Sequence, residues 1–174
     1  MRLTISRFRL ASLATLLAFT CCTERTPPPR TFPLGDRVTL GHLVYSAYET
    51  QWLTQLGSGA DARVPQNRFF LVRLAVTNSG GESIASPNLS IIDDAGNSYE
   101  ELGDGQGVPQ WIGYIRQISQ ADTMQGNLVF DVAPRHYKLR VTDEEGQHTA
   151  LIDLPLEFNA EAPDLAPPAG EKKK

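Results

Sequence analysis

RFFLVRLAVT, residues 68 to 77, alternates with a period of two. Phe70, Val72, Leu74 and Val76 fall on one face, and Phe69, Leu71, Arg73, Ala75 and Thr77 on the other. From Phe32 to Phe158 no long stretch shows convincing 3.6-residue periodicity, whereas several short runs alternate at period two and are closed by turn residues. The pattern therefore predicts a β-strand whose first set faces a core and whose second set, carrying Arg73, faces outward. Asn78, Gly80 and Gly81 close it with turn chemistry.

The same period recurs on both sides of this strand. RVTL (37–40) and LVYSAYE (43–49) are separated by Gly41 and His42. Leu89 to Asp93 and Ser98 to Glu100 flank Asp94, Ala95, Gly96 and Asn97, a hairpin signature in which Gly96 and Asn97 take positive φ cheaply. GNLVFDV (126–132) points Leu128, Phe130 and Val132 inward, and YKLRV (137–141) points Tyr137, Leu139 and Val141 inward. After the turn at Asp143, Glu144, Glu145 and Gly146 comes a last strand, His148 to Leu156, with Ile152 and Leu154 on one side. The fold class expected is all-β, an immunoglobulin-like β-sandwich of seven or eight antiparallel strands over residues 33–158. Its 174 residues, 41% hydrophobic, suffice for one such core and not for two ordinary domains.

Outside this body the composition changes. Arg2, Arg7 and Arg9 form a basic start, and Leu10 to Thr23 carries no charge, which matches an export signal and is too short to span a bilayer. Residues 1–20 are expected to be a lipoprotein-type signal peptide, with Cys21, or alternatively Cys22, as the lipidated residue. Phe19 is bulky for such a processing site, so plain cleavage with secretion, or an uncleaved anchor, stays open. Diacylation would hold the chain on its membrane, because each buried CH2 contributes about 0.8 kcal/mol. Residues 21–32, with Pro27, Pro28 and Pro29, read as a Pro-rich linker. Residues 159–174, rich in Ala, Pro, Glu and Lys, read as a disordered tail.

The charge and motif content excludes more chemistry than it supports. The chain carries 16 basic and 20 acidic side chains, net -4; cleavage after residue 20 removes three Arg and leaves -7. No nucleic-acid partner is expected from such a balance. Two adjacent Cys cannot build a thiolate site across the fold. Gly57, Ser58 and Gly59 lack the spacing of a nucleophile elbow, and GDGQG (103–107) lacks the Lys of a phosphate loop. His42, His136 and His148 stand singly and read as exposed or locally hydrogen-bonded. Asp93, Asp94 and Asn97, and secondarily Asp143, Glu144 and Glu145, offer oxygen ligands for Ca²⁺, but Asp, Asn and Gly are equally the residues of hairpin turns. No catalytic residue, cofactor or metal site is assigned. The binding candidates are Trp52 and the cluster Trp111, Tyr114 and Arg116, a residue mix found at interface hot spots, with packing against the sandwich, or one crossing strand, as the alternative.

PQNRFFLVRLAVTNSG (65–80 and onward to Gly81), IDDAGNSYEEL, VPQWIGYIRQI and GNLVFDVAPRHYKLRV, in that order, resemble a bacterial family, domain of unknown function 4352, over about Gly35 to Leu156. Members look like exported or membrane-anchored immunoglobulin-like domains, similar in fold to a secreted immunoprotective antigen of mycobacteria. The resemblance implies no catalytic residues. The function expected is a non-enzymatic cell-envelope lipoprotein module on the extracytoplasmic face of a bacterial membrane, with the membrane and an envelope protein as partners. The alternative is a small-molecule or ion-binding accessory domain.

Overall fold

The computed structural model describes residues 28–157. The segments expected to be a signal peptide, with Cys21 and Cys22, most of the expected linker and the expected C-terminal tail lie outside the described residues. Within them the chain forms an immunoglobulin-like β-sandwich, with no helix long and apolar enough to cross a membrane. Eleven strands are present among the described residues, more than the seven or eight expected, because three-residue strands carry too little alternation to register in a sequence. One sheet has the order β1 (Arg30–Phe32), β11 (Thr149–Leu154), β10 (Tyr137–Thr142), β6 (Ser90–Asp93), β7 (Ser98–Glu100). The other runs β2 (Val38–Leu40), β3 (Leu43–Leu53), β4 (Phe69–Asn78), β9 (Thr123–Asp131). β5 (Ile84–Ser86) and β8 (Arg116–Ile118) form a two-stranded ribbon.

Two expectations are corrected at once. Arg30–Phe32, assigned by sequence to the linker, pairs with β11, and this pairing is parallel where all strands were expected antiparallel. The other ladders are antiparallel.

β4 behaves as its alternation requires on its inner face: Phe70, Val72, Leu74 and Val76 are buried against Tyr45, Leu128, Phe130, Leu139 and Ile152 from both sheets. Its outer face is not uniformly wet. Phe69 and Leu71 are also buried, under a second cluster with Leu56, Val108 and Val129. The segment that covers them runs from Leu102 to Ile112. It lies along the free edge of β9, where the Leu102 N–H donates to the Val129 carbonyl (2.8 Å), Asn127 N–H to the Gln110 carbonyl (2.9 Å), and Ile112 N–H to the Asn127 carbonyl (3.2 Å). A side chain at Gly126 would bring its Cβ within 2.3 Å of the Gln110 oxygen, so this close approach requires glycine.

β3 is longer than its sequence pattern suggested. Leu43, Tyr45 and Ala47 point inward at odd positions, then the pairing with β4 shifts between Ala47 and Glu49 and the inward positions become even, Thr50 and Trp52. This is a β-bulge at Tyr48. At the far end of β4, the buried Asn78 side chain donates to the carbonyls of Glu82 (2.6 Å) and Ile118 (3.0 Å) and accepts from Gly80 N–H (2.8 Å), which turns the chain toward β5.

Candidate functional site

The loop that covers Phe69 and Leu71 stops at Gln110, and its edge makes a step on the outer face of the four-stranded sheet. Below the step, Glu49, Arg73 and Asn127 stand in one row across β3, β4 and β9, since Arg73 is paired with both of the others. With Thr50, Gln51, Leu71, Pro109 and Gln110 they line a cleft of about 310 Å³. The Arg73 guanidinium donates to Gln110 Oε1 at 2.7 Å, lies 3.5 Å from Glu49 Oε2, and sits 5.8 Å from the centre of the Tyr48 ring. Its Nε is buried without a hydrogen-bond partner.

Each wall is positioned by a local feature of the chain. The bulge turns Tyr48 and Glu49 outward together, so an aromatic ring, 41% exposed, stands beside a carboxylate. Gln110 has φ of 45°, a left-handed conformation uncommon for a residue with a side chain, and it is held there by Asn127, whose N–H bonds the Gln110 carbonyl and whose Nδ2 donates to the Pro109 carbonyl at 2.7 Å. Glu49 and Arg73 cancel, so the cleft carries no net charge. The groups lining it include one carboxylate, one guanidinium and three amides, and the exposed Tyr48 ring stands next to Arg73 outside the lining.

The sequence candidates divide around this cleft. Trp111 is half-buried at its rim, packs on the second cluster, and has its indole against Gly105, where a Cβ would meet the ring at 1.9 Å. It anchors the loop that builds the step. Tyr114 is 36% exposed over Gly103, and its neighbour Ile115 is 92% exposed. Trp52, the other contact candidate, does not reach this cleft. It lies in β3, stacked on Phe70 with ring centres 4.2 Å apart and 6.3 Å from Tyr137.

Arg116 is the clearest correction among the contact candidates. It is buried, and its guanidinium meets Glu101 through both Nη atoms, Nη1 at 2.9 Å from Oε1 and Nη2 against Oε2; Nη1 also reaches the Pro87 carbonyl at 3.4 Å. Glu101 Oε1 in turn accepts the Leu89 N–H at 2.8 Å. A side chain committed to a buried pair offers no surface to a ligand; it ties β8 to the loop after β7.

The acidic turns are engaged in closing themselves. Asp93 accepts from the N–H groups of Ala95 (3.0 Å) and Asn97 (2.9 Å), from Asn97 Nδ2 (3.0 Å), Tyr99 Oη (3.2 Å) and Arg135 (3.1 Å). The Asn97 side-chain bond leads the effects that pull the Asp93 carboxyl down to about 2. Asp143 accepts from Gln147 N–H, His148 N–H and His148 Nδ1. Among the described residues no group of three His, Cys, Asp or Glu is arranged to hold a metal ion. The imidazoles all pair with carboxylates: His42 with Glu144 (2.5 Å), His148 with Asp143 (2.5 Å), and His136 with both Asp94 and Asp153 (2.9 Å each). The bond to Asp94, ahead of the one to Asp153, raises the His136 pKa against its partial burial.

Arg73 was read in the sequence only as facing outward, and Tyr48, Glu49, Gln110 and Asn127 were not singled out. The usable signal was the change of phase in LVYSAYETQWL, where large residues move from odd positions to Trp52.

Fold and surface together define a β-sandwich with a neutral, solvent-facing cleft on the outer face of its four-stranded sheet. The chain belongs to the family described as Domain of unknown function (DUF4352), which matches residues 32–149. Among solved structures it is similar to the yjhA protein of Bacillus subtilis, with a TM-score of 0.56, 14% identity, and coverage of 71% of this chain and 98% of that one. It is also similar to MPT63, a secreted protein of Mycobacterium tuberculosis, with a TM-score of 0.54, 18% identity, and coverage of 74% and 98%. A conserved hypothetical protein of Bacillus anthracis aligns with a TM-score of 0.51, 11% identity, and coverage of 69% and 94%. At these identities the likeness is one of fold. No curated protein sequence matches the chain.

Proposed function

We propose that the protein is a non-enzymatic binding module of the bacterial cell envelope, exported by its N-terminal signal and held on the extracytoplasmic side of a membrane by lipid at Cys21 or Cys22, presenting the cleft around Arg73 to another envelope component. The observation that carries the binding role is the convergence of Glu49, Arg73, Gln110 and Asn127 from two strands, a loop and an edge strand onto one cleft, with the exposed Tyr48 ring 5.8 Å from the Arg73 guanidinium beside it. Few convergent polar groups beside an aromatic ring are the usual furniture of a recognition site. Export is supported by the basic, apolar and Cys-terminated leader, and by the secreted nature of the similar mycobacterial protein. The imidazoles bond to carboxylates and not to a nucleophile, which favours binding over hydrolysis.

The test is fractionation of a bacterium expressing the full chain, followed by incubation of the purified protein with isolated envelopes. Membrane fractionation of the wild type that is lost in the double variant Cys21→Ser with Cys22→Ser supports anchoring, and binding of that unlipidated protein to isolated envelopes that is lost on adding Tyr48→Ala supports the cleft. A soluble wild type, or retention indifferent to Tyr48, overturns the respective half of the reading.

A further inference from the structure

We infer that the cleft recognises a neutral sugar ring, a hexose-type unit of a glycan chain, with two adjacent hydroxyls bridging Glu49 and Arg73 and the carbon face of the ring lying on Tyr48. This rests on the binding role proposed above and names its ligand class. The charge balance excludes the simplest alternatives. An anion drawn to Arg73 would meet the Glu49 carboxylate 3.5 Å from the same guanidinium, and a cation drawn to Glu49 would meet Arg73. A vicinal diol satisfies both, because one hydroxyl donates to the carboxylate while its neighbour accepts from the guanidinium. Such a ligand needs no net charge.

The rest of the cleft suits the same chemistry. Gln110 Oε1 is taken by Arg73 and Asn127 Nδ2 by the Pro109 carbonyl, which leaves the Gln110 Nε2 donor and the Asn127 Oδ1 acceptor for ligand hydroxyls. Gln51 adds a third amide to the lining. A volume of about 310 Å³ is at the small end of ligand sites, fitting one or two rings and not a folded partner. Tyr48 stands beside the lining, 5.8 Å from the Arg73 guanidinium; it faces outward because the bulge adds a residue to β3, and at 41% exposure its ring offers apolar surface to sugar C–H groups at the margin of the cleft. A peptide adding itself as a strand is disfavoured, since the loop from Leu102 to Ile112 already occupies this stretch of the β9 edge.

The experiment is isothermal titration of the processed full chain, in a detergent without a sugar headgroup, with chitotetraose, cellotetraose and maltotetraose as neutral probes and a tetragalacturonate as the charged comparison. At least one neutral probe is expected to bind, with affinity falling at least about tenfold in Tyr48→Ala and in Glu49→Ala. Both side chains are half exposed, so melting curves of these variants should stay at the wild-type temperature. Lys138→Ala, on the other sheet, should bind as wild type does. The inference is overturned if no neutral probe binds at about 10 mM, if the charged tetramer binds more tightly, or if both cleft variants bind unchanged. Should the sugars fail while envelope retention still depends on Tyr48, the ligand class is wrong and the binding role stands.

Discussion

Replacing Arg116 by Met should cost far more than a surface-type residue at the edge of a small ribbon would suggest. Both side chains of the Arg116–Glu101 pair are essentially inaccessible, at 0% and 1% exposure, so solvent cannot screen the charge that remains when one is removed. Glu101 would keep only the Leu89 N–H as a donor. Leaving one member of a buried pair uncompensated costs about 3–5 kcal/mol, a large share of the roughly 5–15 kcal/mol that holds such a domain folded. Glu101→Gln keeps an acceptor for Leu89 but forfeits the ion pair, and should cost a similar amount. The double variant removes both charges, so a coupling energy of about 2–3 kcal/mol should return. Urea denaturation followed by Trp fluorescence at pH 7 reads all three. With a slope of about 1–3 kcal/mol per molar urea, the single variants should move the midpoint by at least about 1 M without changing the slope. Single costs below about 1 kcal/mol, or strict additivity in the double variant, would refute the account of Arg116 as a buried structural cation.

Leu74→Ala empties a fully buried site between the sheets and should cost about 2–5 kcal/mol, whereas Arg73→Ala, one position along on the outer face, should cost under about 1 kcal/mol; equal effects in the same denaturation series would break the register of β4. Gly126→Ala places a methyl against the Gln110 carbonyl, so it should destabilise by about 1–3 kcal/mol and abolish sugar binding measured by titration, while Gly81→Ala, with open space around it and no left-handed backbone, should leave binding intact. His136 gains Asp94 and Asp153 on folding, which raises its pKa above 6.5. Its contribution is therefore complete below 6.5 and lost as pH rises through the higher folded value. The melting temperature should fall over that upper window and do so less in His136→Gln, by the equivalent of under about 1 kcal/mol for a partly exposed pair. Asp93 acts oppositely: its stabilisation is present above 3.8 and should disappear as pH falls toward 2, which acid titration of Asp93→Asn would show as a flattened acid limb.

The sandwich was legible because β4, β9 and β10 carry an apolar residue at every second position on their inner faces. Phe70, Val72, Leu74 and Val76, then Leu128 and Phe130, then Leu139 and Val141, have no helical reading, and the hairpin around Gly96 carries its own turn chemistry. β1, β5 and β8 were not, because three residues cannot show a period, and Arg30 follows prolines that read as spacer. The cleft was less legible still. Glu49, Arg73 and Asn127 lie far apart in the chain and become neighbours only through strand register, and nothing near Gln110 in the sequence announces that it will rest on a glycine of β9. Arg116 was misread for a related reason. A cation beside Trp111, Tyr114 and Ile115 looks like an interface residue until its carboxylate partner, Glu101, is brought under the same roof.

The segment from Leu102 to Ile112 shapes one wall of the cleft, and it also occupies hydrogen-bonding positions along the outer edge of β9. An open edge is a template on which a second copy can stack its own strand and begin a fibril. Substitutions that loosen this segment, at Trp111 or Gly126, therefore threaten solubility as well as the shape of the cleft, and both losses would follow from the same few residues.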